Sequence, residues 1–447
     1  MLNARASYYS AIVRAIGISV GIGGLAAIAA ACSAQAHSAP PTWNHDVRPI
    51  VSAKCQSCHT QGGFAPFPMD SYADAVAHRA SIASAVANRT MPPWPPNDSC
   101  NTYQHDRSLS EAQRNTLLAW ATGEAPEGSP ASYVPPAEGA AVALKIDRSI
   151  GAAAPYVPAI SPDEYRCFVI DWNETNTKYV TGLRVTPGAI SEVHHAIVFQ
   201  IAPQDVAAVQ KLDDADPAAG YSCFGTPGVD GAGWVGAWVP GSTGEVFPAD
   251  TGIAIVPGSK LVVQMHYNTA NTPPVPDRST VDLQLADTVK TEAAVLKWTN
   301  PSWVFNHTMS IAAGDADSVQ QFSFAPTNFM VKASGGALKN GLPFSIWSAA
   351  LHMHARGVKA SLHVEHADGT RECALQIDDW SFHWQGTYAL QKPILVQPGD
   401  KLSIECHFDN SGKRQPTIGG QGAPVGPVNW GETTEDEMCL GLFYATQ

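Results

Sequence analysis

Charge is scarce in this sequence. Only 15% of its 447 residues are charged, and 27 Lys and Arg stand against 40 Asp and Glu, a formal net charge of −13. Ordinary globular chains carry about 25% charged residues. A disordered chain needs high charge and few apolar residues, whereas 45% of these residues are apolar. No Lys/Arg block exists to neutralise phosphates, which excludes an extensive nucleic-acid footprint. Beyond the N-terminus no stretch approaches the roughly 20 apolar residues that span a bilayer.

Glycine and proline, by contrast, are plentiful: 37 and 34, without a period. Such a load suits many short strands joined by turns and argues against a helical bundle. The N-terminus reads as an export signal. Arg5 and Arg14 precede an uncharged run from Ala15 to Ala31. Ala29-Ala30-Ala31-Cys32 resembles a lipobox, and Ala34-Gln35-Ala36 an ordinary A-x-A cleavage site; both stay open. The expected location is extracytoplasmic: bacterial, periplasmic or tethered to the outer membrane, touching membrane only through an N-terminal lipid. Of nine cysteines, Cys32 belongs to the signal and Cys55 and Cys58 to the motif described next. The remaining six are enough for three disulfides outside the cytosol, with fifteen possible pairings.

Cys55-Gln56-Ser57-Cys58-His59 is C-x-x-C-H, the haem c attachment pattern. A redox dithiol would want a βαβ context, and a zinc site a second Cys/His pair. The second axial ligand is expected downstream. Ser71 to Asn88 reads as a helix, and the prolines after Met91 hold that methionine in an extended loop. Met91 is therefore the expected ligand. Met69 competes, as do His45, His78 and His105. Ser110 and Gln113 form a capping box that opens another helix. This order of helices, motif and Met loop resembles a small class I cytochrome c.

Past a Pro/Gly/Ala-rich boundary at Pro126 to Ala141 the pattern changes to short strands, among them Arg166 to Ile170, Ala196 to Phe199, Lys260 to Tyr267 and Ala360 to Val364. About 300 residues suit two antiparallel sandwiches. The expected organisation is a signal over 1–36, a cytochrome c-like all-α domain over 37–128, a linker over 129–148, and β-sandwiches over 149–290 and 291–447.

The second half also carries a metal pattern. His194 and His195 are adjacent, His266 lies in a Q-M-H-Y strand, His352 and His354 form H-x-H, and Met438 precedes Cys439. On a strand His352 and His354 share a face, but His194 and His195 point to opposite faces unless the strand is distorted. Imidazole suits several metals, and a thioether favours copper. His307, His363, His366, His383 and His407 are read as ordinary core or surface residues.

This order of HH, H, H-x-H and M-C resembles the copper type II, ascorbate-dependent monooxygenases, over about residues 150–447. The resemblance implies two jelly-roll-like domains and two copper ions. His194, His195 and His266 would hold the electron-storing copper. His352, His354 and Met438 would hold the oxygen-binding one, across a solvent-filled cleft. It also implies a Cys406–Cys439 disulfide behind the methionine. Peptide-amidating members clamp a carboxylate at positions that here are Ala350, Leu440 and Leu442, which implies a smaller or more apolar substrate. The implied partners are O2, a small organic substrate, and an ascorbate-like reductant or periplasmic redox protein whose electrons pass through one haem c to the His194/His195/His266 copper. A non-catalytic copper/haem electron carrier and a surface binding module are the alternative readings.

Overall fold

The computed structural model describes residues 39–63, 65–136, 144–239, 242, 244–269, 273–326, 332–382, 384–418, 421–431, 433 and 435–447. The signal region and His383 lie outside them. No helix among the described residues is long and apolar enough to cross a membrane.

Four helices occupy the first part: α1 (Arg48–Lys54), α2 (Tyr72–Ala77), α3 (Arg79–Ala87) and α4 (Glu111–Thr122). The stretch expected as one helix over Ser71 to Asn88 is broken at His78, whose ring stacks on Phe67 at 4.0 Å. Helix α4 starts on the expected box. Ser110 Oγ accepts from Gln113 N (3.2 Å) and Gln113 Oε1 from Ser110 N (3.0 Å). Trp43, Val51, Met69, Leu117 and Trp120 fill a small core between these helices. The boundary segment is partly tied down: Pro126 O accepts from Trp43 N and Trp120 Nε1.

The remainder is mainly antiparallel β structure, as the turn-rich composition predicts, with one parallel pairing and the helices Val206–Ala215 and Pro301–Asn306. The strands of four residues or more begin with β1 (Arg148–Gly151), β2 (Asp163–Asp171), β3 (Lys178–Thr186), β4 (Val193–Ile201), β5 (Gly233–Trp238), β6 (Thr251–Ile255), β7 (Lys260–Asn268) and β8 (Thr280–Ala286). They continue with β9 (Thr291–Trp298), β10 (Ser318–Phe324), β11 (Phe344–His352), β12 (Gly357–Glu365), β13 (Arg371–Ile377), β14 (Thr387–Val396), β15 (Lys401–Phe408) and β16 (Leu440–Thr446). All four strand candidates named from sequence fall inside β2, β4, β7 and β12.

One sheet runs through both halves in the order β2-β7-β4-β5-β9-β16-β11-β14. A sheet of order β1-β8-β3-β6 covers its first half, and one of order β10-β15-β12-β13 its second. The covers lie on opposite faces. Along β9, Ala293 faces the first core while Ala294, Leu296 and Trp298 face the second. Along β16, Tyr444 faces the first, Phe443 and Ala445 the second. Period-2 alternation explains this: a strand buried on both sides serves two cores at once.

The segment between α3 and α4 leaves the helical region and joins the second sandwich. Pro96 bridges Ile377 on β13, and Tyr103 bridges Leu390 on β14. Both are edge strands of their sheets. The strap thus covers two open edges that would otherwise present unpaired backbone groups. Tyr103 is buried in the second core, and Cys100 is bonded to Cys373. Cys167–Cys223 and Cys406–Cys439 are the other disulfides, the latter as the resemblance implies.

Candidate metal centres

The sequence leaves one stereochemical difficulty, two adjacent histidines on a strand. The fold resolves it with a bulge. In the β4–β7 ladder Val193 opposes Tyr267 and His195 opposes His266, with a register shift between them. His194 is the extra residue, turned to the same side as its neighbour. The Nδ1 atoms of His194, His195 and His266 stand 3.1 to 3.3 Å apart. A point equidistant from nitrogens so spaced lies about 1.9 Å from each, close to the roughly 2 Å of a metal–imidazole bond.

The chain around the trio directs it inward. His266 is 1% exposed, and its Nε2–H donates to Asp163 Oδ1 at 2.9 Å, which turns Nδ1 toward His194 and His195. Asn268 donates to the same oxygen at 2.9 Å. Tyr165, opposite His266 on β2, stacks on its ring at 4.1 Å and 8°. Burial pushes His195 well below the usual imidazole range, and the neighbouring His266, His194 and His352 add to it. The ring is therefore neutral at neutral pH, the form that binds a metal. Burial works to raise Asp163, but the hydrogen bonds from His266 and Asn268 outweigh it and hold the carboxylate low.

The second group sits where β11 ends. His352 is the last residue of the strand and His354 follows in the turn, while Met353 between them is fully buried in the second core. The two rings share one side with centroids 5.1 Å apart. His352 Nδ1–H donates to Gln385 Oε1 (2.5 Å) and His354 Nδ1–H to Asp436 O (3.0 Å), so both rings keep Nε2 for a metal. Burial, then His352, pushes His354 down to about 3. Met438 is buried just before β16, and Leu440 opposes His352 in the ladder.

Glu437 ties these parts together. It is 0% exposed, and its carboxylate accepts from His354 N at 2.8 Å and Arg356 N at 2.6 Å. Burial pushes it up to about 8, against the pull of those donors and of the Arg356 guanidinium. Arg356 in turn donates to Glu435 O and Gln415 Oε1.

One ring connects the two groups. Phe382 lies 6.1 Å from His194 and 6.2 Å from His354, centroid to centroid. In the β11–β16 ladder Ala350 and Leu442 form a cross-strand pair next to His352 and Leu440. These are the positions where the resemblance implies an anion clamp, and here they make an apolar wall.

Residues 330–445 match the sequence profile of the copper type II ascorbate-dependent monooxygenase C-terminal domain. DBH-like monooxygenase protein 2 of Mus musculus is 26% identical over 270 residues, 56% of this chain and 38% of that protein. Dopamine beta-hydroxylase of Homo sapiens is 23% identical over 265 residues, 57% and 41% of the two chains. The chain is thus similar in sequence to copper-dependent monooxygenases. The chain spans less than half the length of these relatives. A solved infectious bursal disease virus VP2 subviral particle aligns over 68% of this chain and 72% of that one at 11% identity, with a TM-score of 0.16, too low to carry an argument.

Both histidine groups rely on residues that no local motif announces. Asp163, Tyr165, Phe382, Gln385 and Glu437 reach the histidines only through strand pairing and loop packing. Of the histidines read as ordinary, His366 pairs with Asp400 and Glu372, and His407 with Asp317 and Glu405. Asp163→Ala is expected to weaken metal binding at the His194/His195/His266 group by about 10- to 100-fold. Competition with a chelator of known affinity measures it, and binding at the His352 group should not change.

The C-x-x-C-H motif closes α1. Cys55 caps its C-terminus, and Cys58 and His59 donate backbone N–H groups to Cys55 O. Both thiols are unpaired. Burial pushes Cys55 up to about 12, with Cys58 adding to it. A reactive dithiol shows the opposite shift and prefers a helix N-terminus. His59 Nδ1–H donates to Phe67 O at 2.9 Å. Met69 is a core residue, 3% exposed, while Met91 is only half-buried in its loop.

Proposed function

We propose that this chain hydroxylates a C–H bond of a small, apolar organic substrate with O2, using two copper ions and one haem c. The observation that carries the reading is the inward-facing trio of His194, His195 and His266 Nδ1 atoms, 3.1 to 3.3 Å apart. Copper held there and at His352, His354 and Met438 would supply one-electron storage and oxygen activation. Imidazoles serve both copper oxidation states, and a thioether favours the reduced one. The chain's own residues do the rest. Asp163, Gln385 and Asp436 fix the ring orientations. Phe382, Leu440 and Leu442 exclude water and favour an apolar substrate. The balance is one O2, two electrons and two protons per hydroxyl delivered, with one water released.

The haem belongs to this proposal. The unpaired Cys55 and Cys58 and the free Nε2 of His59 support it, with Met91 as second axial ligand. So does Trp94, whose buried Nε1 has no protein partner among the described residues and suits an acceptor on a bound group. Residues 37–128 are then a cytochrome c-like domain, and 149–290 and 291–447 the two copper domains. Electrons come from ascorbate or a small redox protein. Three disulfides and the N-terminal signal favour an exported, periplasmic or lipid-tethered protein.

The test is metal content and turnover on protein matured in a periplasm. Two copper and one iron per chain are expected, falling to one copper in His195→Ala. Protein that retains no copper after dialysis would overturn the copper reading. Absence of iron would overturn the haem reading alone.

A further inference from the structure

The strap that joins the helical region to the second sandwich is lined with aromatic rings. Trp94, three residues past Met91, meets Tyr388 on β14 at 5.4 Å (88°) and Tyr103 at 6.3 Å. Tyr103 and Tyr388 meet at 5.9 Å. The three rings pack edge to face against the second core.

Both ends of this cluster lead to a proposed metal group. On one side the guanidinium of Arg107 lies 5.8 Å over the Trp94 ring. Lys54, next to Cys55, donates from Nζ to Asp106 O at 2.6 Å. The residue before Arg107 is thus held at the C-x-x-C-H turn, while Arg107 itself lies over the Trp94 ring. On the other side Tyr388 opposes Ala349 on β11, three residues before His352. Its ring folds back over Gly386, where a Cβ would come within 3.1 Å of the phenol. Gln385, the next residue, holds His352 Nδ1 at 2.5 Å. Two ring contacts, one peptide unit and one hydrogen bond thus separate Trp94 from His352.

The position of the cluster is held firmly. Asn97 N donates to Gln376 O (2.8 Å), Gln104 N to Ala389 O (2.7 Å) and Gln391 N to Thr102 O (3.0 Å). The Cys100–Cys373 bond locks the strap to β13. A bridge needs such rigidity, because electronic coupling falls steeply with every widened gap.

We propose that Trp94 and Tyr388, with Tyr103 beside them, form an aromatic bridge that brings electrons from the Cys55–His59 haem to the His352, His354 and Met438 centre. This rests on the haem and copper reading above. It differs from the expectation drawn from sequence, in which electrons arrive at His194, His195 and His266. Each transfer moves one electron: ferrous haem iron becomes ferric and cupric ion becomes cuprous. No bond forms or breaks, and ascorbate or a small reduced redox protein restores the ferrous haem. The second centre, reached across Phe382, is filled from the first.

The experiment follows haem oxidation by visible absorbance, without O2, after flash reduction of full-length protein loaded with cupric ion. Tyr388→Leu and Trp94→Leu are each expected to slow the oxidation by an order of magnitude or more. Tyr388→Phe, which keeps the ring, and His194→Ala are expected to keep the rate. Far-UV circular dichroism and iron per chain report whether each variant has folded, with copper counted at the sites whose ligands are intact. If Tyr388→Leu fails that check, the half-buried Trp94 decides. Unchanged rates in the leucine variants overturn the bridge and leave the relay standing. So does a fast phase lost in His194→Ala but kept in His352→Ala. No haem oxidation in the unmodified protein overturns the relay and the bridge with it.

Discussion

Glu437→Ala is expected to destabilise the second sandwich by about 2–6 kcal/mol, the cost of leaving two buried backbone N–H groups without their acceptor. The side chain is fully buried and accepts from the backbones of His354 and Arg356. Alanine strands both donors, each at about 1–3 kcal/mol, and leaves the Arg356 guanidinium with less compensation. The loss falls on the turn that aims His354 and on the residue before Met438. Metal binding at His352, His354 and Met438 should weaken along with stability, while the His194 group keeps its ion. Glu437→Gln retains one acceptor but sets an NH2 against a backbone N–H, so an intermediate loss is expected. Denaturant unfolding followed by tryptophan fluorescence, with copper content, measures both effects. A loss below 1 kcal/mol would show that the carboxylate is not the hub of this turn.

The second large effect is expected from Cys100→Ser/Cys373→Ser. That bond closes a loop with 273 residues of sequence separation. Constraint of the unfolded chain by so long a loop is worth about 4–5 kcal/mol, an upper value for a protein that two other disulfides also constrain. What remains to hold the strap is a set of hydrogen bonds and the buried Tyr103, whose hydroxyl donates to Ala374 O at 3.2 Å. The folded state should persist with a lower unfolding midpoint, and residues 94–107 should become the first site of proteolysis. An unchanged midpoint and unchanged protease resistance would mean that these contacts suffice without the bond.

Both effects concern residues whose importance sequence reasoning passed over. Cys100 read as one of six cysteines with fifteen possible pairings. Glu437 read as one of three acids before Met438. Neither has a local signature, because each acts on a partner brought close by folding. Phe382 is similar: nothing in its surroundings marks an aromatic ring that touches two histidine groups 160 residues apart.

Much else was legible. The strand segments, the Ser110 capping box and the shared face of His352 and His354 follow from local rules of period and hydrogen bonding, which act over a few residues. The order of HH, H, H-x-H and M-C was legible too, because metal-ligand chemistry restricts residue type so narrowly that a string of matches stands out.

What only the tertiary structure decided is how separated pieces meet. A bulge of one residue turned His194 to the side of His195. Alternation along β9 and β16 made a single sheet serve two cores on opposite faces. The strap from the helical region closed two sheet edges and placed its rings beside Tyr388. Register, sheet order and docking arise from packing between residues tens to hundreds of positions apart. No window of sequence contains that information, so candidate ligands could be picked from the sequence by residue type while the way they meet could not.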